Sequence, residues 1–257
     1  MTTIVLKFGG AAVASPDHFN KIADIALERK RGHGKLAIVV SAMANMTSQL
    51  VELAQRVNPN PPPREYDMLV SVGERISISL LAMALAAKGE RAVSFTGSQS
   101  GIITCNEHSN ARIVEVRPKR IIPLLDEGNI VIVAGFQGCS LGGEITTLGG
   151  NGSDISAVAL AVALGAERVE FFKDVGGVYD SDPKLCPDAS LISEIDYAKT
   201  LEIIRSGGRV LHPRCIELAQ KNGMPMHIYS FDHPEVAGTK IFDPLTKIPE
   251  IPVFEFA

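Results

Sequence analysis

The sequence is poor in cysteine, has no excess of positive charge and no long apolar run, and lacks the familiar phosphate-binding fingerprints. Each absence removes a class of answers. Its four cysteines, Cys105, Cys139, Cys186 and Cys215, are far apart with no C-x-x-C spacing. Neither a zinc site nor a redox pair is suggested, and reduced structural roles are expected. The formal net charge of -4 offers no footprint for nucleic acid, and the basic residues are scattered apart from the short run ERKRGHGK; DNA and RNA are set aside as partners. No apolar run reaches the roughly 18 to 20 residues of a membrane span, and MTTIVLKFGG lacks the basic start and cleavage site of a secretory signal. No membrane partner and a cytoplasmic location are expected. There is no G-x-x-x-x-G-K-[ST], and no G-x-G-x-x-G opening a helix after a strand, so neither a P-loop nor a standard dinucleotide site is supported. No internal repeat or low-complexity segment is present.

What is present is a regular alternation. With 257 residues, 46% of them hydrophobic, the chain can bury a large core as one big domain or two closely packed lobes. TIVLKF reads as a buried strand and GGAAVA as a turn, with Ser15 and Pro16 suited to cap the helix that follows. KLAIVVSAM is a second strand leading to a helix from about Thr47. The proline-rich NPNPPPRE then precedes a long helix from about Tyr66 to Lys88. RAVSFTG, NIVIVAGFQG, RVEFFKDV, PMHIYSF and TKIFD read as further strands, separated by helical PKRIIPLLDEG, ISAVALAVALGA, YAKTLEIIRSGG and PRCIELAQKNG. This order argues for an α/β sandwich with a mainly parallel sheet and ligands at the carboxyl ends of its strands. A soft boundary is expected near residue 165, with an acceptor-binding lobe over 1–165 and a nucleotide-binding lobe over 166–257.

The polar residues at strand ends are the candidates for chemistry, and each has a plain structural alternative. Lys7 precedes Gly9 and Gly10, which suits a phosphate whose other oxygens take backbone amides, but it also suits a solvated strand end. In TTLGGNGSD, Thr146 to Asp154, the glycines form a turn or an anion cradle, and Asp154 serves a site or caps the next helix. Glu74 sits in the otherwise mostly apolar LVSVGERISISLLAMALAA, where a carboxylate must be paired, for instance with Arg75, or must serve a site. DVGGVYDSDPK is either a surface loop or a set of nucleotide contacts.

Taken together, VLKFGGAAVA, VVSAMANMT, VGERISISLLAMAL, GIITCNEHSNARI, GFQG, TTLGGNGSDISA, KDVGGVYDSDP and GGRVLHPRCIELA closely resemble the amino acid kinase family and, within it, the aspartokinase catalytic domain. They occur in the family's order and cover nearly the whole chain, down to GTKIF. The resemblance implies a three-layer αβα sandwich with a mainly parallel eight-stranded sheet. It implies ATP with Mg2+ as phosphoryl donor, an acyl phosphate made on a small carboxylate, and a homodimer. Residue by residue, it implies that Lys7 holds the transferring phosphoryl group and that Gly9 and Gly10 bring amides to it. Ser41 and Thr47 line the acceptor pocket, Glu74 faces an ammonium, Ser153 contacts substrate or phosphate, and Asp154 organises the phosphate-binding lysines. Lys173, Asp174, Tyr179, Lys184 and Arg209 lie along the nucleotide, with Lys173 standing where the family usually has threonine. No metal ligand is assigned.

There are three departures from the family pattern. Gly150 stands where aspartokinases usually carry an arginine that grips a substrate carboxylate. A charge-assisted hydrogen bond contributes about 1.5 to 3 kcal/mol, so its loss weakens an aspartate-like acceptor unless Arg75, Arg112 or another cation substitutes. The glycine also leaves room for a larger or less anionic acceptor, with Asn151 offering a neutral amide. Ala11 and Ala12 replace usual hydroxyl residues near the phosphates. The third departure is that the chain stops just after GTKIF, where feedback-regulated members continue into regulatory domains, so control by an end-product amino acid is not expected unless a separate subunit provides it. The leading expectation is an aspartokinase-like kinase; the alternatives are a relative with a changed acceptor and a non-catalytic binding subunit.

Overall fold

In the computed structural model, which describes residues 2–181, 186, 188–208 and 210–255, the first two strands, β1 (Thr2–Phe8) and β2 (Gly34–Val40), are joined by helix α1 (Pro16–His33). They pair in parallel from Thr2 opposite Gly34 to Phe8 opposite Val40. The chain continues through α2 (Met46–Val57), α3 (Pro63–Val70) and α4 (Val72–Ala87) to β3 (Ala92–Phe95), then through α5 (Gly97–Ser100), β4 (Ile102–Thr104), β5 (Ile113–Val116) and α6 (Ile121–Asp126) to β6 (Ile130–Ala134). After β6 come β7 (Gln137–Ser140), β8 (Ile145–Thr147), α7 (Gly152–Ala163) and β9 (Arg168–Lys173). Last are β10 (Glu194–Ile195), α8 (Tyr197–Arg205), α9 (Pro213–Asn222), β11 (Met226–Ser230) and β12 (Thr239–Ile241).

Eight strands form one sheet in the order β10-β12-β11-β9-β1-β2-β6-β3. Every neighbouring pair is parallel except β11 with β12. Period-2 alternation divides the core in two. On one face Val5, Val39, Val133 and Phe171 pack with α7, α8 and α9. On the other, Leu6, Phe8, Ile38 and Phe172 pack against residues of α1 and α4. The expected three-layer αβα sandwich is therefore the observed one. The sheet is continuous across position 165, because β1 pairs with β9 on the far side of it.

Several elements differ from the sequence reading. A second sheet, ordered β5-β4-β7-β8, was not anticipated; its strands are three or four residues long and carry no clear alternation. NIVIVAGFQG is two strands rather than one. Phe136, at φ 67°, turns the chain out of the main sheet after β6 and sends β7 into the small one. The helix expected from Tyr66 starts at Pro63 and is divided at Ser71. Together α3 and α4 make a stretch of 25 residues, Pro63–Ala87, containing an 18-residue window of mean hydropathy 1.6, long and apolar enough by length and composition to cross a membrane. This corrects the expectation that no run reaches that length, which was obscured by Ser71, Gly73, Glu74 and Arg75 at its middle. Half of that window is buried, with α4 packed on α1, β3 and β6.

Candidate active site

The carboxyl ends of β1, β2, β6 and β9 open onto one edge, and each is followed by a loop that turns over it. Parity decides which side chains reach the site. Lys7 shares the face of Val5, and Lys173 shares the face of Phe171, so both lysines point to the side on which α7 packs. Asp154, in the first turn of α7, meets them there. The Lys7 ammonium lies 2.7 Å from Asp154 Oδ1, and Lys173 donates to Asp154 Oδ2 at 2.9 Å and Oδ1 at 3.2 Å. Asp154 makes no side-chain capping bond, and its helix is preceded by Asn151 in the left-handed region, at φ 57°. The cap alternative for Asp154 is thus replaced by ion pairing, and Lys7, only 4% exposed, is not a solvated strand end.

Two ammonium groups share one carboxylate, so this cluster carries an uncompensated positive charge in a buried place. Burial opposes ionisation of Asp154, but the charges of Lys7 and Lys173 outweigh it and hold the carboxyl at about 2. Burial pulls the Lys7 ammonium below its ordinary value, against the attraction of Asp154 and with the repulsion of Lys173. An anion arriving here would supply the missing charge. Gly9 fits the same picture. A Cβ on it would come within 3.3 Å of Lys7 Nζ, so glycine leaves the ammonium uncrowded.

Beside the cluster lies a cleft of about 290 Å³ lined by Gly10, Ser41, Thr47, Glu74, Gly150, Asn151 and Ser153, every one a residue singled out from the sequence. Asn45, Ser48 and Phe136 also line it and were not singled out. Asn45 at φ 64° and Phe136 at φ 67° both occupy the left-handed region, uncommon for residues other than glycine. Asn45, within VVSAMANMT, was the more legible, since asparagine tolerates that region. Gly135 is needed for close approach, because a Cβ there would sit 2.6 Å from that of Ser153. A wider groove of about 600 Å³ between β10 and α8, floored by Ile192, Ile195, Ile203 and Phe242, brings together none of the candidate residues.

Glu74 is 2% exposed. Its Oε1 accepts from the Ala42 amide at 3.0 Å, while Oε2 has no partner among the described residues. Burial raises its pKa to about 7, opposed by the backbone hydrogen bonds and by the charge of Lys7. The ion pair with Arg75 does not form; Arg75 is exposed on the outer side of α4. Arg112 is 3.5 Å from Glu255. Neither arginine lines the cleft, so neither replaces a cation at Gly150. A Cβ on Gly150 would meet nothing within 4 Å.

Asp174 and Tyr179 lie in the loop after β9, at the same edge but outside the cleft. Asp174 is exposed, and Tyr179 bridges to Leu191 with its hydroxyl over Gly176. Lys184 and Arg209 fall outside the described residues. Arg214, which the sequence reading passed over, holds the back of the glycine turn: it donates to the carbonyls of Leu148 and Ala111, each at 2.7 Å, and is fixed by Glu255 at 2.6 Å.

Among known proteins, the profile of the amino acid kinase family matches residues 2–230. An aspartokinase from Mycolicibacterium smegmatis is 43% identical over 97% of this chain and 59% of its own length. The crystal structure of aspartate kinase from Synechocystis superposes with a TM-score of 0.82 at 44% identity, covering 94% of this chain and 40% of that one. E. coli aspartokinase III, solved in complex with aspartate and ADP, gives a TM-score of 0.85 at 29% identity over 94% of this chain and 64% of its own. The chain spans about three fifths of the length of the curated relatives it matches.

Proposed function

The chain belongs to the amino acid kinase family, and on that premise we propose that it transfers the γ-phosphoryl group of ATP to the side-chain carboxylate of aspartate or a close analogue. The observation that carries this reading is an over-positive buried cluster standing beside a cleft whose lining includes a buried carboxylate with an unpartnered oxygen. The first suits a phosphoryl group, the second an ammonium. An acceptor carboxylate between them is already ionised at neutral pH and needs no general base. Its oxygen bonds to the γ-phosphorus as the bond to the ADP oxygen breaks, leaving an acyl phosphate and ADP. Lys7 and Lys173 stabilise the charge on the moving group while Asp154 holds both in place, a division of labour that suits a loose transition state. Glu74 and the polar rim of Ser41, Thr47, Asn151 and Ser153 orient the acceptor.

The nucleotide side of the reading rests on Gly9, Gly10, Lys173, Asp174 and Tyr179, with Lys184 and Arg209 assigned from the resemblance alone. The lobe over 1–165 holds the acceptor, and the one over 166–257 the nucleotide. Among the described residues no cluster of carboxylates and histidines is suited to a resident metal. Mg2+ is therefore assigned to the ATP phosphates, as is usual for an ion that binds with few protein ligands. A cytoplasmic location, a role in amino-acid biosynthesis and a homodimer complete the reading. Met68, Val72, Ile76 and Met83 are exposed along α3 and α4, an apolar face of the kind a second copy covers.

One observation favours a second reading. Among the described residues Glu74 is the only charged one lining the cleft, and Gly150 leaves its outer part open. A larger acceptor, or one whose far end is uncharged, fits that chemistry better than one with two carboxylates. The deciding measurement is ADP release with Mg-ATP across small acceptors led by L-aspartate, with hydroxylamine present to trap acyl phosphates. Rapid trappable turnover on aspartate supports the first reading, and turnover confined to a larger or less anionic acceptor supports the second. No turnover with any acceptor defeats both and leaves a non-catalytic binding role.

A further inference from the structure

Asp67 is fully buried in α3 and is not among the residues lining the cleft, yet it gathers more donors than any group the proposed chemistry uses. Its carboxylate accepts from the Thr147 amide at 3.0 Å and the Thr147 hydroxyl at 2.6 Å. It also accepts from the Ser109 amide at 3.0 Å, the Ser109 hydroxyl at 3.3 Å and His108 Nδ1 at 2.9 Å. These donors come from two segments far apart in sequence. Thr147 is the last residue of β8 and stands immediately before the Leu148–Gly149–Gly150 turn. Ser109 lies beneath that turn, since a Cβ on Gly149 would touch the Ser109 carbonyl at 3.3 Å and Asn110 Oδ1 at 3.4 Å. The two segments are also tied to each other, the Ala111 amide donating to the Thr147 carbonyl at 2.9 Å.

Ser109 adopts a left-handed conformation, at φ 66°. Such a residue persists only where its surroundings over-determine it, and here the Asp67 carboxylate takes both its amide and its hydroxyl. An ionised carboxylate accepting from several directed donors fixes position more firmly than apolar packing does. Arg214 braces the same turn through the Leu148 carbonyl and the same neighbouring segment through the Ala111 carbonyl. The residues so held, Gly150, Asn151 and Ser153, line the acceptor cleft. Among the described residues the lysines at the ends of β1 and β9 bond to Asp154 and to none of Asp67, Ser109 or Thr147.

We infer that Asp67 is a positioning residue that sets the glycine turn, and through it the acceptor side of the cleft, independently of the phosphoryl side. The test compares wild type with Asp67→Asn, which keeps the shape but turns one acceptor into a donor facing the Thr147 or Ser109 amide. Amide hydrogen exchange is the first readout, because it requires no turnover. Peptides covering 108–112 and 147–154 are expected to exchange at least tenfold faster in the variant, with 168–173 unchanged. Acceleration spread evenly over all three, or none in a folded variant, overturns the inference. The second readout rests on the proposed kinase activity: KM for L-aspartate rises about tenfold or more while KM for Mg-ATP stays within twofold. If the two KM values rise together, the role is general stability and the inference fails. If wild type itself turns over no acceptor, the kinase reading fails and the exchange result still decides the role of Asp67. Should Asp67→Asn not fold, Thr147→Val removes the 2.6 Å bond and spares the amide. It is expected to give the same exchange pattern at smaller amplitude, and unchanged exchange at 147–154 overturns the inference.

Discussion

Glu74, in the cleft, and Asp154, in the lysine cluster beside it, are carboxylates each 2% exposed, and the two have opposite character. Asp154 faces two ammonium groups and is held ionised, at about 2. Glu74 receives one backbone hydrogen bond from Ala42, leaves an oxygen unpartnered and is pushed to about 7. Burial is the same, so neighbours make the difference. Asp154 is complete without a ligand and works by organising the lysines around it. Glu74 is incomplete until a donor arrives from outside, which marks the end at which the molecule recognises rather than assembles. Pairs of groups whose environments drive their pKa values apart are a general mark of divided roles in a site.

Removing a lysine is the most severe way to break this contrast. Lys7→Ala leaves Asp154 with Lys173 alone and takes away the donor aimed at the transferring group. Loss of one such donor costs on the order of 10²- to 10³-fold in kcat. ADP release is expected to fall by that much, while thermal melting shows a folded protein. Turnover within tenfold of wild type would remove Lys7 from the chemistry. At the other end, Glu74→Gln removes the counter-charge for an ammonium. A charge-assisted hydrogen bond of about 1.5 to 3 kcal/mol corresponds to roughly 10- to 150-fold in acceptor kcat/KM. KM for Mg-ATP is expected to stay put. Equal damage to both substrates would show that the two ends are not separable.

How much of this contrast was readable beforehand follows from which contacts are local. Lys7 and Lys173 stood out because each lies at the end of an apolar strand, but that both point to one face follows only from the pairing of Lys7 with Phe171, which the sequence does not show. Glu74 stood out as a carboxylate in an apolar helix, but its company was not readable: Arg75 is adjacent in sequence and on another side of α4. Asp67 carries the same signal within REYDMLV and was passed over, since its partners Ser109 and Thr147 are brought to it only by the small sheet. That sheet left little trace, because strands such as Ile102–Thr104 and Ile145–Thr147 are too short to establish a period. Phe136 illustrates the same limit: nothing in an apolar run announces a left-handed residue that ends one strand and redirects the next.

A gentler change sharpens the comparison by adding charge where the acceptor end has none. Gly150 is not in the left-handed region, and its Cβ position is open, so Gly150→Arg is sterically permitted. A guanidinium there is expected to raise kcat/KM for a dicarboxylate such as L-aspartate by about tenfold, the lower end of what a charge-assisted hydrogen bond supplies. Steady-state kinetics with L-aspartate against an analogue whose α-carboxylate is an amide would show the gain confined to aspartate. A loss for both acceptors would mean that the open volume is itself part of the specificity.

The smallest effect is set by pH and has a definite sign. Glu74 binds its proton more tightly in the fold, at about 7, than at its ordinary value of 4.5, because burial penalises the charged form. Between those values the folded chain keeps a proton that the unfolded chain has released. The stability linked to Glu74 is therefore fully present below 4.5 and is lost as pH rises through about 7. Binding of an ammonium runs the other way, since it requires the ionised carboxylate. Acceptor KM is expected to fall by about tenfold from pH 6 to pH 8, following ionisation of a single group, while the melting temperature declines over the same interval. Asp154, already ionised above about 2, contributes to neither slope in this window. Glu74→Gln should flatten both trends together. If acceptor KM retained its slope in that variant, the proton would belong to some other group, and the recognition end of the cleft would have to be sought away from Glu74.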